Sequence, residues 1–275
     1  MQPPFVQAGK AIPDEDPDKR QKQAWEYKLL NGLLEVWRKH QDIVLEWLKK
    51  NRDVKKQIKA VGTDLIRDKA MWAAFEQDHV QLMLPVFEQA MEEAVLLAIG
   101  KLPFEIGAEW ELVNAAAAKW ARKYSYSLIS GINDTTRKRL QASINNWIEA
   151  GETFPDLVAR VQKIFVNPVR AEMIAATEIT RVFAEANTRA WEESGVVRGR
   201  RWTTANDERV CPICGPLGGL EVIEEEAQPT SPEEQMARGV IATLREPAKH
   251  PKTNIGYEIP AHPSCRCWWT PIIME

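Results

Sequence analysis

The chain has 275 residues, 44% of them hydrophobic, which by size means one large domain or two ordinary ones with a real core. Its 36 Lys and Arg against 39 Asp and Glu leave a net charge of −3, which excludes a basic nucleic-acid coat and a polyacidic tail as the main theme. With 14 Gly and 17 Pro it is neither collagen-like nor of low complexity. No apolar run reaches the ~20 residues that cross a bilayer, and the first residues lack the charged-then-apolar order of a signal peptide. These features predict a cytosol-like compartment and no membrane association.

In chain order, residues 1–20 carry four prolines and few apolar side chains, and read as a disordered arm. From Gln21 a helical period begins. Trp25, Leu29, Leu33, Val36, Trp37, His40, Val44, Trp47 and Leu48 fall on one stripe of a helix predicted to run to about Val61. A second helical block covers 63–99, with Trp72, Phe75, His79, Leu82, Val86 and Phe87 as its stripe. Pro85 should kink or break it, and Gly100 and Pro103 should end it. A third helix is expected over 108–129, with the small side chains Ala115–Ala118 suited to close packing. Asp134 reads as the N-cap of a separate helix over 135–149 that stops at Gly151. Pro155 suits the first turn of a short helix ending near Phe165. Asn167 and Pro168 form a cap and first-turn pair opening a long helix to about Ser194, with Gly195 as its stop.

Past Gly195 the pattern changes. Val196–Thr204 suits a strand. A turn-rich stretch, the first cysteine pair and an acidic run follow. Ser231–Glu234 looks like a capped helix start leading to about Glu246. Tyr257–Ile259 and Trp268–Ile273 read as short strands. The expected fold is mainly α: a multi-helix N-terminal body with a small α+β C-terminal module stapled by zinc. The expected divisions are the arm at 1–20, a variable helical region at 21–129, a helical part at 130–195 and a zinc-knuckle-like module at 196–275.

All four cysteines lie in the last 65 positions. In a reducing compartment such a cluster points to a metal before disulfides. Cys211-Pro212-Ile213-Cys214 and His262-Pro263-Ser264-Cys265 have the same form, with two ligand types three positions apart on a tight turn. Together they supply the four soft or borderline donors of a tetrahedral Zn2+ site. Cys211, Cys214, His262 and Cys265 are therefore the leading set. In an extended segment Cys267 would sit two residues from Cys265, with the sulfurs too far apart to share an ion easily. A turn at Arg266 would bring it back, so Cys267 competes with His262 for the fourth position. His250 is a weaker candidate. Four protein ligands leave no open coordination position, which favours one structural zinc.

Other catalytic templates fail. There is no HExxH, no His-x-Glu upstream of the Pro-Cys-x-x-Cys type of deaminase, no Walker loop and no GxGxxG. His40 and His79 lie on helical stripes and read as core residues. Glu178 with Arg181 reads as a helical ion pair rather than an active-site pair. The chain is thus expected to have no enzymatic activity.

The run R-A-E-M-I-A-A-T-E-I-T-R-V-F-A-E-A-N from Arg170 leads to R-W-T-T-A-N-D-E-R-V-C-P-I-C and closes with H-P-S-C-R-C. Together these resemble the phage Mu F-like head morphogenesis family, the minor capsid proteins of tailed phages and prophages. Trp202, Thr204, Asp207, Arg209, Val210, Cys211 and Cys214 fall at that family's motif positions. So do His262, Pro263, Cys265, Arg266 and Cys267. The resemblance spans about 130–275, with 47 residues between Cys214 and His262. It implies a virion component, in the host cytoplasm during assembly, that works with the portal and other capsid proteins. Assembly, DNA packaging or DNA delivery would be its task, with packaged DNA as a further partner. Some relatives carry a fused toxin or transferase domain after the HP-x-CRC end; this sequence stops at Glu275. The competing readings are a zinc-dependent nuclease or hydrolase acting on nucleic acid, and a zinc-knuckle DNA-binding adaptor. Asp207 is expected to orient the first knuckle as an Asx turn. The tryptophan-rich stripe of 21–61 is expected to leave apolar surface for a partner or for self-association, which places the main docking surface on 21–129.

Overall fold

A computed structural model of the chain describes residues 15–51, 64–102, 110–150, 152–205, 207–208, 210–223 and 258–273. Among them are five long helices: α1 (Lys19–Lys50), α2 (Lys69–Gly100), α3 (Trp110–Ala150), α4 (Phe154–Phe165) and α5 (Pro168–Ser194). Three strands follow: β1 (Val197–Thr203), β2 (Glu221–Ile223) and β3 (Trp268–Ile273). The mainly α class with a small C-terminal sheet is as the sequence implies. No helix among the described residues is long and apolar enough to cross a membrane.

α2 is the central helix, packed against α1, α3 and α5. Its buried residues include Trp72, Phe75, Met83, Phe87, Ala90, Met91, Ala94 and Val95, too many for one stripe and suited to a helix enclosed on several sides. It runs unbroken through Pro85. That residue sits on the exposed face, so the Gln81 carbonyl that loses its partner lies toward water. The block expected from 63 is divided, because the Asp68 carboxylate caps α2 by accepting from the Met71 amide at 2.9 Å.

α3 corrects the sequence reading more strongly. The helices expected over 108–129 and 135–149 are one helix of 41 residues. Asp134 is not a cap. Thr135 and Thr136 turn their hydroxyls back to the carbonyls of Gly131 and Ile132, both at 2.9 Å, so the polar tract stays helical. The buried residues Ala121, Ser125, Ile129, Ile132, Thr136, Leu140 and Ile144 continue one stripe through the supposed break. Of the Ala115–Ala118 tract only the helical backbone is described.

The ends of α4 and α5 follow their local signals. Thr153 and Asp156 form a capping box at α4, with Pro155 in its first turn. The Asn167 side chain accepts from the Arg170 amide at 3.0 Å, and Gly195 closes α5 at φ 66°. Arg170 is buried and reaches α3, where its guanidinium donates to Thr136 Oγ1 and the Ile132 carbonyl, both at 3.1 Å. It lies 4.9 Å from the Trp37 ring centre. Glu178, also buried, accepts from the Tyr124 hydroxyl at 2.6 Å and from Arg181 Nε at 3.2 Å. The pair considered at the sequence level is therefore part of a link between α3 and α5.

At the start of α1 the chain is fixed earlier than the arm expected over 1–20. Asp16 accepts from Lys22 Nζ at 2.6 Å, and buried Asp18 pairs with Lys101 beyond the end of α2. Residues 1–14 of that arm lie outside the described residues, as do the helix expected over 231–246, His250, Tyr257 and the extension of α1 beyond Asn51. Glu258 and Ile259 are described and are not strand. The tryptophans of α1 turn inward. Trp37 is fully buried and donates to His79 Nε2 at 3.0 Å, while Trp25 and Trp47 pack against the core. Trp25 also donates to Glu93 at 2.7 Å. Much of the stripe therefore supports the core, while Trp25 and Trp47 are half-buried and keep part of their surface exposed.

The sheet has the order β2-β1-β3 with antiparallel pairing throughout. β1 follows α5 directly and pairs Trp202 with Trp269 and Thr203 with Trp268 in β3. Trp202 and Trp269 meet edge to face at 5.2 Å between ring centres. β2 was not anticipated; it is three residues long and paired to β1 through Gly199, Arg200 and Arg201. A Cβ at Gly199 would lie 2.4 Å from the Val222 carbonyl oxygen and 2.8 Å from the Ile223 Cα. Both are backbone atoms, so Gly199→Ala should force β2 off β1 and destabilise the sheet by about 1–3 kcal/mol. Near-UV circular dichroism of the buried tryptophans during thermal unfolding checks this; an unchanged transition would show that the strands shift at no cost.

Candidate metal centre

Two turns and the sheet build the centre. In the first turn, the Gly215 amide donates to the Cys211 carbonyl at 3.0 Å and the Cys214 amide to the Cys211 sulfur at 3.3 Å. A short 3-10 turn over Gly215–Leu217 then buries Leu217 beneath it. In the second turn, the Cys265 amide donates to the His262 carbonyl at 3.2 Å. Pro263 and Ser264 are its central residues, and Ser264 has φ 57°. A non-glycine residue there costs roughly 1–2 kcal/mol, so something must hold it. Its amide donates to Thr177 Oγ1 on α5 at 2.9 Å.

The pairing of β1 with β3 sets Cys267, directly before β3, beside the first turn. His262 Nε2 lies 3.0 Å from Cys211 Sγ and 3.1 Å from Cys214 Sγ. Cys214 Sγ lies 3.7 Å from Cys265 Sγ. Two donor trios result, each with its ligand atoms within 4.8 Å of one another: Cys211, Cys214 and His262, and Cys214, Cys265 and Cys267. Cys214 belongs to both. All five residues considered from the sequence are thus brought together. Cys267 comes within reach of Cys214 and Cys265 because β3 begins only at Trp268 and residues 265–267 are irregular, as a turn at Arg266 would allow. The sulfurs are free thiols, and 3.7 Å is far beyond a disulfide bond.

The donors fit a tetrahedral thiophilic ion. With Zn–S near 2.3 Å, the sulfur–sulfur edge of a tetrahedron is about 3.8 Å, close to the Cys214–Cys265 separation. The His262 contacts are shorter than such an edge and lie in the hydrogen-bond range. The imidazole nevertheless has the tautomer a metal needs. Its Nδ1 lies 2.8 Å from the Pro263 carbonyl, which can only accept, so Nδ1 carries the proton and Nε2 offers its lone pair to the cysteines. The donors thus suit a metal ion, with Cys214 shared between the two trios.

Electrostatics point the same way. Cys265 is held far below an ordinary thiol by hydrogen bonds from Cys214 and then Cys267. Cys214 is pushed far up, first by Cys265 and then by Cys267. Cys267 is pushed up to about 12, because Cys265 and burial outweigh the opposing pull of Cys214. The buried trio accepts one negative charge readily and resists more, so a cation is what would allow every sulfur to ionise. Cys211 is lowered, since hydrogen bonds from the Cys214 amide and thiol outweigh burial. His262 is raised, since the Pro263 carbonyl and then Cys265 and Cys211 outweigh burial.

Around the donors, Asp207 grips Arg266 through two hydrogen bonds of 2.7 and 2.8 Å, tying the approach to the first turn to the second. This carboxylate–guanidinium clamp is a role that the sequence reading of Asp207 did not include. Trp202 is wholly buried, and its indole N–H has no hydrogen-bond partner among the described residues. A recess of about 40 Å3 opens beside the sulfurs, bordered by Thr204, Ala205, Val210, Ser264 and Arg266 among others. Sequence reasoning missed Thr177. Its only signal is its place in the T-E pair of α5.

Residues 138–270 match the family model described as phage Mu protein F like protein. The match starts in the second half of α3, takes in α4, α5, β1, β2 and all five donors, and ends in β3. No curated protein and no solved structure matches the chain. Over residues 138–270, the part that builds the metal centre and the helix supporting it, the chain is similar to the phage Mu F-like family.

Proposed function

We propose that the protein is a minor head protein of a phage or prophage, with a structural Zn2+ pinning its C-terminal sheet and turns to the helical body. The observation that carries the zinc reading is the convergence of five Cys and His donors from two turns 47 residues apart. The match of residues 138–270 to the phage Mu F-like family suggests head morphogenesis, capsid proteins as partners and the virion as location. The finer assignment is to the portal and the head interior, with packaged DNA or a second copy of the chain as further partners. Its support is the order of family motifs along α5, β1 and the two turns. Assembly would bring the chain there from the host cytoplasm.

The centre is proposed as structural, without turnover. The donor set is large enough to surround one ion with protein ligands, and among the described residues no carboxylate lines the recess beside it. A bound Zn2+ would supply a cross-link between the turns. Metal analysis of protein purified under reducing, metal-replete conditions should find one zinc per chain. Absence of stoichiometric zinc would refute the reading. Retention by the cognate portal protein on co-expression tests the location. Nuclease or peptidase activity lost in a still-folded His262→Ala variant would replace the structural reading with a catalytic one.

A further inference from the structure

We propose that Thr177 is a positioning residue for the metal centre: from α5 its hydroxyl holds the Ser264 amide, and so the turn that carries His262 and Cys265. The proposal rests on the zinc reading and goes beyond it by assigning a group that touches no ligand atom.

Ser264 is the one non-glycine residue with positive φ among the described residues, and it lies between two candidate ligands. A serine has no intrinsic reason to stay at φ 57°. The Thr177 hydroxyl supplies one. It donates its proton to the Met173 carbonyl at 2.6 Å, which leaves its lone pairs for the Ser264 amide at 2.9 Å. The hydroxyl is therefore fixed in orientation before the turn reaches it. α5 is itself fixed at this level, because the neighbouring Glu178 is held by Tyr124 of α3 and by Arg181. Thr177 and Glu178 thus face two partners: one receives the metal turn, the other locks the supporting helix. Outer groups of this kind set ligand direction without binding the ion.

The test uses the full chain, with Zn2+ affinity measured by competition with a chromophoric chelator and Co2+ substitution as a spectroscopic readout of ligand geometry. Thr177→Val keeps shape and removes the acceptor. It should weaken Zn2+ binding about 10- to 100-fold and alter the Co2+ absorption bands, with the helical circular dichroism retained. Thr177→Ser should restore both. Ser264→Gly, which adopts positive φ without help, should recover most of the affinity when combined with Thr177→Val. Equal affinity of Thr177→Val and the parent chain overturns the proposal and leaves the zinc reading standing. Failure of Ser264→Gly to rescue, or loss of helical signal in Thr177→Val, assigns Thr177 to packing and also overturns it. A parent chain that binds neither ion removes the zinc reading and the proposal together.

Discussion

Acidification from pH 7 to pH 4 should unfold the helical body, with up to about two protons taken up by a pair of buried histidines as it unfolds. The cause is the pair His40 and His79, each 1% exposed between α1 and α2. His79 donates from Nδ1 to the Phe75 carbonyl at 2.8 Å and accepts at Nε2 from the Trp37 indole at 3.0 Å. A second proton would set two N–H groups against each other. Burial first, and then the charges of His40 and Arg170, lower His79 from 6.5 to about 4 against the pull of the Phe75 carbonyl and Asp78. His40 stacks on Phe75 at 3.8 Å and contacts Asp78 at 3.0 Å. Burial, helped by Lys39, outweighs Asp78 and lowers His40 to about 4 as well.

Both folded values lie below the unfolded value near 6.5. The unfolded chain therefore binds more protons between the two. Stability is fully present above about pH 6.5 and is lost as pH falls toward 4. Each histidine is worth up to about 3 kcal/mol over that interval. The rings lie only 5.1 Å apart and repel when both are charged, so their effects are not independent. Even one such increment is a large part of the roughly 5–15 kcal/mol that holds a domain folded. Far-UV circular dichroism in urea, repeated across this pH range, measures the slope. His79→Gln can still accept from Trp37 and donate to Phe75 without titrating, and should flatten it. A stability independent of pH from 7 to 4 would show that these rings charge without cost.

Cys214→Ser should abolish stoichiometric metal binding and open the C-terminal sheet while the five helices persist. Cys214 is the sulfur common to both donor trios, so its loss breaks both at once. The fall in affinity should exceed the ~100-fold that outer partners control. Thiol labelling should then reach Cys265 and Cys267, which are buried in the folded chain. Loss of helical circular dichroism in this variant would mean that the helices depend on the sheet and turns for their own stability.

The elements best read from sequence are those defined within a few residues. α5 is framed by Asn167-Pro168 and Gly195, whose capping and left-handed roles need no distant partner. β3 showed as an aromatic and β-branched run, and β1 by the valines, tryptophan and threonines that flank its arginines. α3 was misread because Asp134-Thr135-Thr136 is also a cap signal; only the neighbouring helices, burying Ile132, Thr136 and Leu140, decide for continuity. β2 has too few residues to carry a pattern and exists through its register with β1. At the centre, repeated Cys-Pro-x-Cys and His-Pro-x-Cys spacing made the donors legible. Cys267 depended on where β3 starts, and Thr177 on a hydrogen bond across 87 positions, which no local spacing encodes.

The two donor turns are 47 residues apart in sequence, yet a bound ion would not have to close a loop of that size. The hydrogen bonds of β1 with β3 already do so, by pairing Thr203 with Trp268. Measured through that pairing, Cys211 is 8 positions from Thr203 (211 − 203) and Cys267 is next to Trp268. The entropy of ring closure at the metal is set by this short path and not by the chain between Ile223 and Glu258. That stretch can lengthen or shorten through evolution without changing how tightly the ion is held.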